Sequence, residues 1–141
     1  MLFRSVLGSV LDVLTFAVAA LGGISLFVGG VGILTIMTIA VRERRAEIGL
    51  LRAIGARRAQ VLRLFLLESL LLSAVGGLAG LGVGLGLAAT IKFVAPSLPV
   101  HPSLEYALLA ELLAIAIGLA AGMLPARSAA LLQPLDALRA E

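Results

Sequence analysis

The chain has 141 residues, of which 61% are hydrophobic and 13% are charged, and it contains no cysteine. A water-soluble domain of this size needs a polar exterior, so the composition excludes an ordinary soluble domain and indicates an integral membrane protein, while the missing cysteines exclude disulfides and thiolate metal sites. The net charge of +3 comes from arginines placed between apolar runs, which is typical of membrane topology and headgroup contact, so we do not expect nucleic-acid binding.

The first predicted membrane span covers residues 13–41, and it has no ionisable side chain from Val13 to Ala40. A helix of this length measures about 43 Å, which exceeds a hydrocarbon core of about 30 Å, so we expect it to tilt, bend or project. The amphiphilic segment 1–12 is predicted to extend this helix out of the membrane on the extracytoplasmic side. Gly29 and Gly30 mark either bends or close contact with a neighbouring helix.

The segment 42–58 is the most strongly charged part of the chain and joins two apolar runs. Its first turns are polar, and Ile48, Leu51 and Ile54 follow at three-residue spacing, which predicts a short amphipathic helix along the membrane surface. Gly55 is placed to end this helix in the left-handed conformation. A plain interfacial turn would show the same periodicity, so periodicity alone supports a docking surface only weakly.

The second predicted span covers residues 59–91. Glu68 lies inside it, and we expect this carboxylate to face protein because a charge facing lipid is costly. Gly76, Gly80 and Gly84 repeat at four-residue spacing, which predicts a smooth strip that another helix can approach closely. The alternative is the general enrichment of glycine in membrane helices.

Residues 92–104 form a predicted external loop with three prolines and the only histidine of the chain. His101 has no neighbouring donors in the sequence, so we interpret it as an exposed loop residue and not as a metal ligand. The sequence offers no nucleophile, metal set or P-loop motif at recognisable spacing. We therefore expect neither an enzyme nor a chain that binds a cofactor.

The third predicted span covers residues 105–124, and Pro125 is expected to end it before a tail, 125–141. Gly118 and Gly122 again follow four-residue spacing and are predicted to lie at a helix contact. Glu111 interrupts the apolar run and could reach the headgroup layer or a polar partner.

Counts of arginine and lysine predict the orientation of these spans. The connection 42–63 contains seven, the loop 92–104 contains one and the tail contains two. The positive-inside rule then places the charged segment and the C-terminus in the cytoplasm, and the N-terminus outside. The predicted fold class is all-α, with three transmembrane helices and one short cytoplasmic helix.

Two groups of residues carry a family resemblance. The stretch from Gly29 to Gly84 contains EIG at Glu47 and RAIGA at Arg52, and the chain closes with Pro125-Ala126-Arg127, Pro134 and Ala137-Leu138-Arg139. From about Gly22 onward the sequence closely resembles the C-terminal transmembrane core of the FtsX-like permease family, especially its MacB-type members. The resemblance implies a multi-pass protein of the bacterial cytoplasmic membrane that supplies the second, third and fourth helices of a permease.

The resemblance also implies partners. An ABC ATPase, fused or separate, would hold ATP and Mg²⁺ and would dock on a coupling helix. Two permease chains would pair, as a homodimer or with a second permease, with membrane lipid around them and a periplasmic adaptor as a further candidate. The coupling role would fall on Glu43, Arg44, Glu47, Ile48, Gly49, Leu51, Arg52, Ile54 and Gly55.

Three functions follow as hypotheses. The first is a permease that couples ATP hydrolysis to export or extraction of a substrate at the outer face by mechanotransmission. The second is an FtsX-like regulator of a cell-wall hydrolase, and the third is a small membrane protein that self-associates through its glycines. The family's first helix, extracytoplasmic domain and nucleotide-binding domain are not found in this sequence, so we expect a fragment of a longer permease.

Overall fold

The computed structural model describes residues 2–96 and 103–132, and every regular element in these ranges is an α-helix. The elements are α1 (Leu2–Glu43), α2 (Arg45–Ala53), α3 (Arg58–Val94) and α4 (Leu104–Leu131). Three of them, α1, α3 and α4, are long and apolar enough to cross a membrane. The predicted all-helical fold with three helices able to span a membrane is therefore confirmed. The predictions for His101, Pro134 and residues 137–139 lie outside the described residues.

Helix α1 is much longer than a membrane is thick. Its 42 residues correspond to about 63 Å, roughly twice the hydrocarbon core of a bilayer. No proline interrupts it, and the glycine pairs within it do not break it. Large apolar side chains such as Phe16 and Phe27 are exposed along it, which suits lipid as the surrounding medium. The orientation and the membrane boundaries of the spans stay predictions, because helix ends do not mark membrane surfaces.

A one-residue break at Arg44 separates α1 from α2. Arg44 has φ −95° and ψ 17°. Its N–H still donates to the Ala40 carbonyl at 3.0 Å, and the Ile48 N–H donates to the Arg44 carbonyl at 3.0 Å. The hydrogen bonding of the backbone therefore runs through the break, and no loop separates the two helices.

The turn between α2 and α3 is built around Gly55. Its φ is +104°, as its position after the apolar residues of α2 predicted. The Gly55 N–H donates to the Arg52 carbonyl and the Ala56 N–H donates to the Leu51 carbonyl, which is the Schellman arrangement. The Gln60 side chain then accepts the Arg57 N–H at 2.7 Å, which satisfies one free donor at the start of α3.

Helix α4 is the central element, since it packs along both α3 and α1, while α1 and α3 touch each other little. The buried apolar core lies at the end of the bundle that carries α2. Away from this core most of the large apolar side chains are exposed, as expected for a lipid-facing surface. The core residues are Met37, Val41, Ile48, Val61, Phe65, Ala126, Ala129 and Ala130.

Pro125 does not end α4, contrary to our expectation, and the helix continues to Leu131. A proline inside a helix removes one backbone hydrogen bond and strains the preceding turn, at a cost of about 3 kcal/mol. The turn after Pro125 places Ala126, Ala129 and Ala130 in the core, where their exposures are 0%, 0% and 6%. We attribute the continuation to this packing, because unwinding would expose all three side chains and open the core.

Candidate functional site

Helix α2 has two different faces. Ile48 points into the core and is only 3% exposed, and Gly49 beside it is also buried. The predicted apolar stripe does not stay on this face, because residues three apart in a helix are displaced by about 60° around the axis. By that displacement Leu51 and Ile54 turn progressively away from Ile48.

The face of α2 that points away from the core is apolar and exposed. Leu50, Leu51 and Ile54 are 64%, 41% and 76% exposed. Helical geometry places Glu47, which is also exposed, among these three side chains. We call Glu47, Leu50, Leu51 and Ile54 the outer α2 surface. Leu50 was not among the predicted site residues, although its spacing of four from Ile54 was a usable signal.

Not all of the other predicted coupling residues lie around this surface. Ile48 and Gly49 are buried and are not available to a partner, and Arg52, four residues after Ile48, lies on the same side of α2 as Ile48 and is partly exposed. Glu43 at the end of α1, Arg44 at the break and Gly55 in the turn are exposed. The role of these residues in binding an ATPase stays a prediction.

Glu68 forms an ion pair with Arg44. Its Oε1 lies 3.5 Å from Nη1 of Arg44, and the two side chains are 35% and 52% exposed. This is the one ion pair found among the side chains that the structure describes, and it ties the α1–α2 break to α3. Because both groups are partly solvated, the pair contributes little stability, about 1 kcal/mol at most.

A seam of small residues joins α3 to α4. Ser69 and Ser73 of α3 are 0% and 4% exposed, and their hydroxyls donate to carbonyls of their own helix, at 2.9 Å in each case. A Cβ added at Gly118 would overlap Cβ of Ser73, and a Cβ added at Gly122 would overlap Cβ of Ser69. The helices therefore approach as closely as small side chains allow. Gly30 of α1 makes a similar approach, where an added Cβ would lie 2.8 Å from Cγ2 of Ile117.

The remaining predicted packing glycines face open space. Apart from the local backbone of its own helix, no atom of residues 2–96 and 103–132 lies within 4 Å of a Cβ added at Gly29, Gly76, Gly80 or Gly84. Gly29, Gly76 and Gly80 line a groove of about 520 Å³ between α1, α3 and α4, and Gly84 lines a neighbouring one of about 330 Å³. These glycines form no contact within the described chain, and their role as an interface for another helix stays a prediction.

Glu111 lies in the second of these grooves, against α3. Its carboxylate contacts the backbone at Gly77, where any side chain would overlap it. Oε2 of Glu111 is buried, and it has no hydrogen-bond partner among the described residues. An unsatisfied buried oxygen costs free energy, so this carboxyl marks a place where the bundle lacks a polar partner. The described residues contain no group of three His, Cys, Asp or Glu side chains that could hold a metal ion.

The model of the FtsX-like permease C-terminal family matches residues 19–134 of this chain. The matched range contains α2, the turn at Gly55 and the seam between α3 and α4.

Individual relatives match almost the whole chain. The uncharacterized ABC transporter permease YknZ of Bacillus subtilis (strain 168) is 43% identical over 137 residues, which are 96% of this chain and 34% of YknZ. The macrolide export ATP-binding/permease protein MacB of Rhodopseudomonas palustris (strain HaA2) is 42% identical over 135 residues, 96% of this chain and 21% of that protein. MacB of Azoarcus sp. (strain BH72) is 46% identical over 130 residues, 92% of this chain and 20% of that protein. The chain thus spans a third of YknZ and a fifth of the MacB proteins.

Proposed function

We propose that this chain, which belongs to the FtsX-like permease family, is a permease component of an ABC transporter and contacts its ATPase through the outer α2 surface. Relatives that match over nearly the whole chain carry the names ABC transporter permease and macrolide export ATP-binding/permease protein. The proposed contact with the ATPase is supported by the group of exposed apolar side chains on α2. Contiguous exposed apolar residues outside the lipid region are typical of a surface that binds another protein.

The direction of the outer α2 surface favours a protein partner over the bilayer. Ile48 on the opposite side of α2 packs against the core of the membrane bundle. Leu50 and Ile54 therefore point away from the bundle, and the positive-inside assignment of this connection supports an aqueous surrounding for them. The carboxylate of Glu47 among them favours a partner that offers an apolar pocket with a hydrogen-bond donor or a cation at its centre.

The mechanism we propose is mechanotransmission. Helix α2 is joined to α1 through continuous backbone hydrogen bonds at Arg44, to α3 through the turn at Gly55, and to the core through Ile48. A partner that moves α2 would therefore move α1 and α3 with it. The partner would bind ATP and Mg²⁺, and the movement would serve export or extraction of a substrate at the outer face.

The arrangement in the membrane follows from the same proposal. The protein resides in the bacterial cytoplasmic membrane. We assign α2 and the C-terminus to the cytoplasm because the positive-inside rule assigns the arginine-rich connection to that side. Two permease chains pair, either as a homodimer or with a second permease. A periplasmic adaptor is the expected partner on the outer side where the output is export.

A pair of charged substitutions on the outer α2 surface tests the ATPase contact. The variant Leu50→Asp with Ile54→Asp is co-expressed with the ABC ATPase of its own gene cluster, and co-purification is measured. We expect ATPase binding to fall at least about tenfold, because apolar anchors of an interface each contribute about 1–2 kcal/mol. The fold should persist, since both side chains are exposed.

The matched control is Ala46→Asp with Ala53→Asp, which introduces the same two charges at exposed positions of α2 outside this surface. It should bind the ATPase like the parent chain. A second variant, Glu47→Arg with Gly55→Leu, should also lose binding. The coupling assignment fails if the Leu50→Asp and Ile54→Asp variant binds the ATPase as well as the control does.

A further inference from the structure

We propose that the chain has a specific site for the headgroup of an anionic phospholipid, in the cavity between α1, α2 and α4 at the α2 end of the bundle. The cavity has a volume of about 220 Å³. Two arginines, two hydroxyl side chains and an apolar wall line it. These residues are Arg42, Arg45, Thr38, Ser128, Leu124 and Pro125.

The two arginines supply positive charge with no counter-ion. Arg44, which lies between them in sequence, pairs with Glu68, but neither Arg42 nor Arg45 has a carboxylate within 4.0 Å among the side chains that the structure describes. Guanidinium groups bind phosphate oxygens in a two-pronged geometry, and basic pockets between membrane helices bind anionic headgroups. The charge of the cavity therefore fits a phosphate diester.

The hydroxyl groups narrow the class of headgroup. Thr38 Oγ1 donates to the Leu34 carbonyl at 2.7 Å, and Ser128 Oγ donates to the Leu124 carbonyl at 3.0 Å. Their hydrogens are thus used inside the helices, and their oxygens are left as acceptors. A headgroup with a phosphate for the arginines and its own hydroxyl donors matches this set. Phosphatidylglycerol is such a lipid.

The position of the cavity favours a lipid over free phosphate. Arg42 follows directly on the uncharged run of α1, so the arginines lie where the apolar part of the bundle ends. Leu124 in the wall of the cavity is 64% exposed and lies about one helical turn before Ser128, toward the apolar middle of α4. An acyl chain can cover this side chain while the phosphate reaches the guanidinium groups, whereas inorganic phosphate would leave it uncovered.

The position also favours a lipid over the ATPase. Arg45 and Ile48 are three residues apart, so they lie within about 60° of each other on α2. Ile48 faces the core, so Arg45 lies on the bundle side of α2, away from the outer α2 surface. A partner bound to that surface would not need to enter the cavity.

The experiment compares arginine variants of the full chain in lipid nanodiscs. The discs contain phosphatidylcholine with a minor fraction of phosphatidylglycerol, and native mass spectrometry counts the lipids retained after mild detergent release. The test variant is Arg42→Gln with Arg45→Gln. The matched control is Arg57→Gln with Arg58→Gln, which removes the same charge from the same connection but not from the cavity.

We expect the parent chain and the control to retain phosphatidylglycerol selectively. The test variant should lose about thirtyfold in apparent affinity, and each single variant about fivefold, because one basic residue contributes about a factor of five at a membrane surface. Equal thermal midpoints in pure phosphatidylcholine discs show that the variants fold. If the double variant does not fold, the single variants give the same test.

Four results would overturn the proposal. Unchanged phosphatidylglycerol retention in the double variant would show that the two arginines do not bind the headgroup, and an equal loss in the control would show general charge attraction instead of a site. Stabilisation of the chain by inorganic phosphate to the same degree as by phosphatidylglycerol would identify a free anion as the ligand. Loss of ATPase co-purification with intact lipid retention would assign the arginines to the ATPase contact.

Discussion

Replacing Gly118 by alanine should force α3 and α4 apart. A Cβ at this position would overlap Cβ of Ser73, and it would also lie 3.3 Å from Cδ1 of Ile33. The Ser73 Cβ is attached to the backbone of α3 and has no rotamer that avoids the clash. The two helices must therefore separate by about 1.5 Å to restore ordinary van der Waals contact at 3.5–4.0 Å. The separation loosens the seam on both sides of Gly118.

The expected cost is set by overpacking of a tight contact, about 1–3 kcal/mol. The matched control is Gly80→Ala, since none of the described atoms outside the local backbone of α3 lies within 4 Å of an added Cβ there. In the control, alanine only raises helix propensity, which stabilises by up to about 1 kcal/mol. Helix propensity rises alike in both variants, so they should differ by the overpacking cost, roughly 1–3 kcal/mol in free energy of unfolding.

The assay uses the absence of native cysteine. Cysteines introduced at the exposed residues Arg58 and Leu131 carry a donor and an acceptor dye, and energy transfer reports separation of α3 from α4 during a titration with sodium dodecyl sulfate. A second variant, Gly118→Ala with Ser73→Gly, moves the methyl-sized group from one helix to the other. This double variant should recover at least half of the stability that Gly118→Ala loses, because the two substitutions act on the same contact. Equal stability of Gly118→Ala and Gly80→Ala, or no recovery in the double variant, would refute the described contact.

Four further substitutions test three separate features of the fold with the same assay. Glu111→Met removes a buried oxygen without a hydrogen-bond partner and should stabilise the bundle by about 1–3 kcal/mol; a loss of stability would mean that the carboxyl has a partner. Gly55→Ala should destabilise by about 1–2 kcal/mol, because alanine does not readily adopt φ +104°; an unchanged midpoint would contradict the left-handed turn. Ile48→Ala should cost about 2–5 kcal/mol and Ile54→Ala less than about 0.5 kcal/mol, and similar costs would show that α2 does not present two faces.

Features that depend on one helix at a time could be predicted from the sequence. The uncharged run of residues 13–40 is too long and too apolar to be anything but a membrane helix, and the structure extends it in both directions. Gly55 was recognisable because it directly follows the apolar residues of α2, where a left-handed residue closes a helix. Each of these inferences needs only local sequence and the physics of one helix.

Features that depend on which faces meet could not be predicted in the same way. Gly76, Gly80 and Gly84 form one four-residue series, and Ser69, Ser73 and Gly77 form another, turned by about 100° around the same helix. The structure packs the serine series against α4 and leaves the glycine series open. The choice depends on Gly118 and Gly122 accepting serine side chains, which is a property of two helices together. Serine counts as a small residue in membrane packing, so its series was a usable signal.

The continuation of α4 past Pro125 could not be predicted from the sequence for a related reason. A local rule stops a helix at proline, since the lost hydrogen bond is visible in the sequence. The compensation is not visible there, because it depends on Met37, Phe65 and other distant residues that enclose the alanines after Pro125. The same holds for Ile48 and Ile54, whose different surroundings arise from the position of the core.

The length of α1 converts a small rotation at its base into a large displacement at its tip. From the break at Arg44 to Leu2 the helix measures about 63 Å, so a rotation of 10° about that break would move its far end sideways by about 11 Å. The same rotation would move a residue one turn from the break by only about 1 Å. A conformational change that is barely measurable beside α2 would therefore be readily detected, by paired spin labels, at the opposite end of the helix.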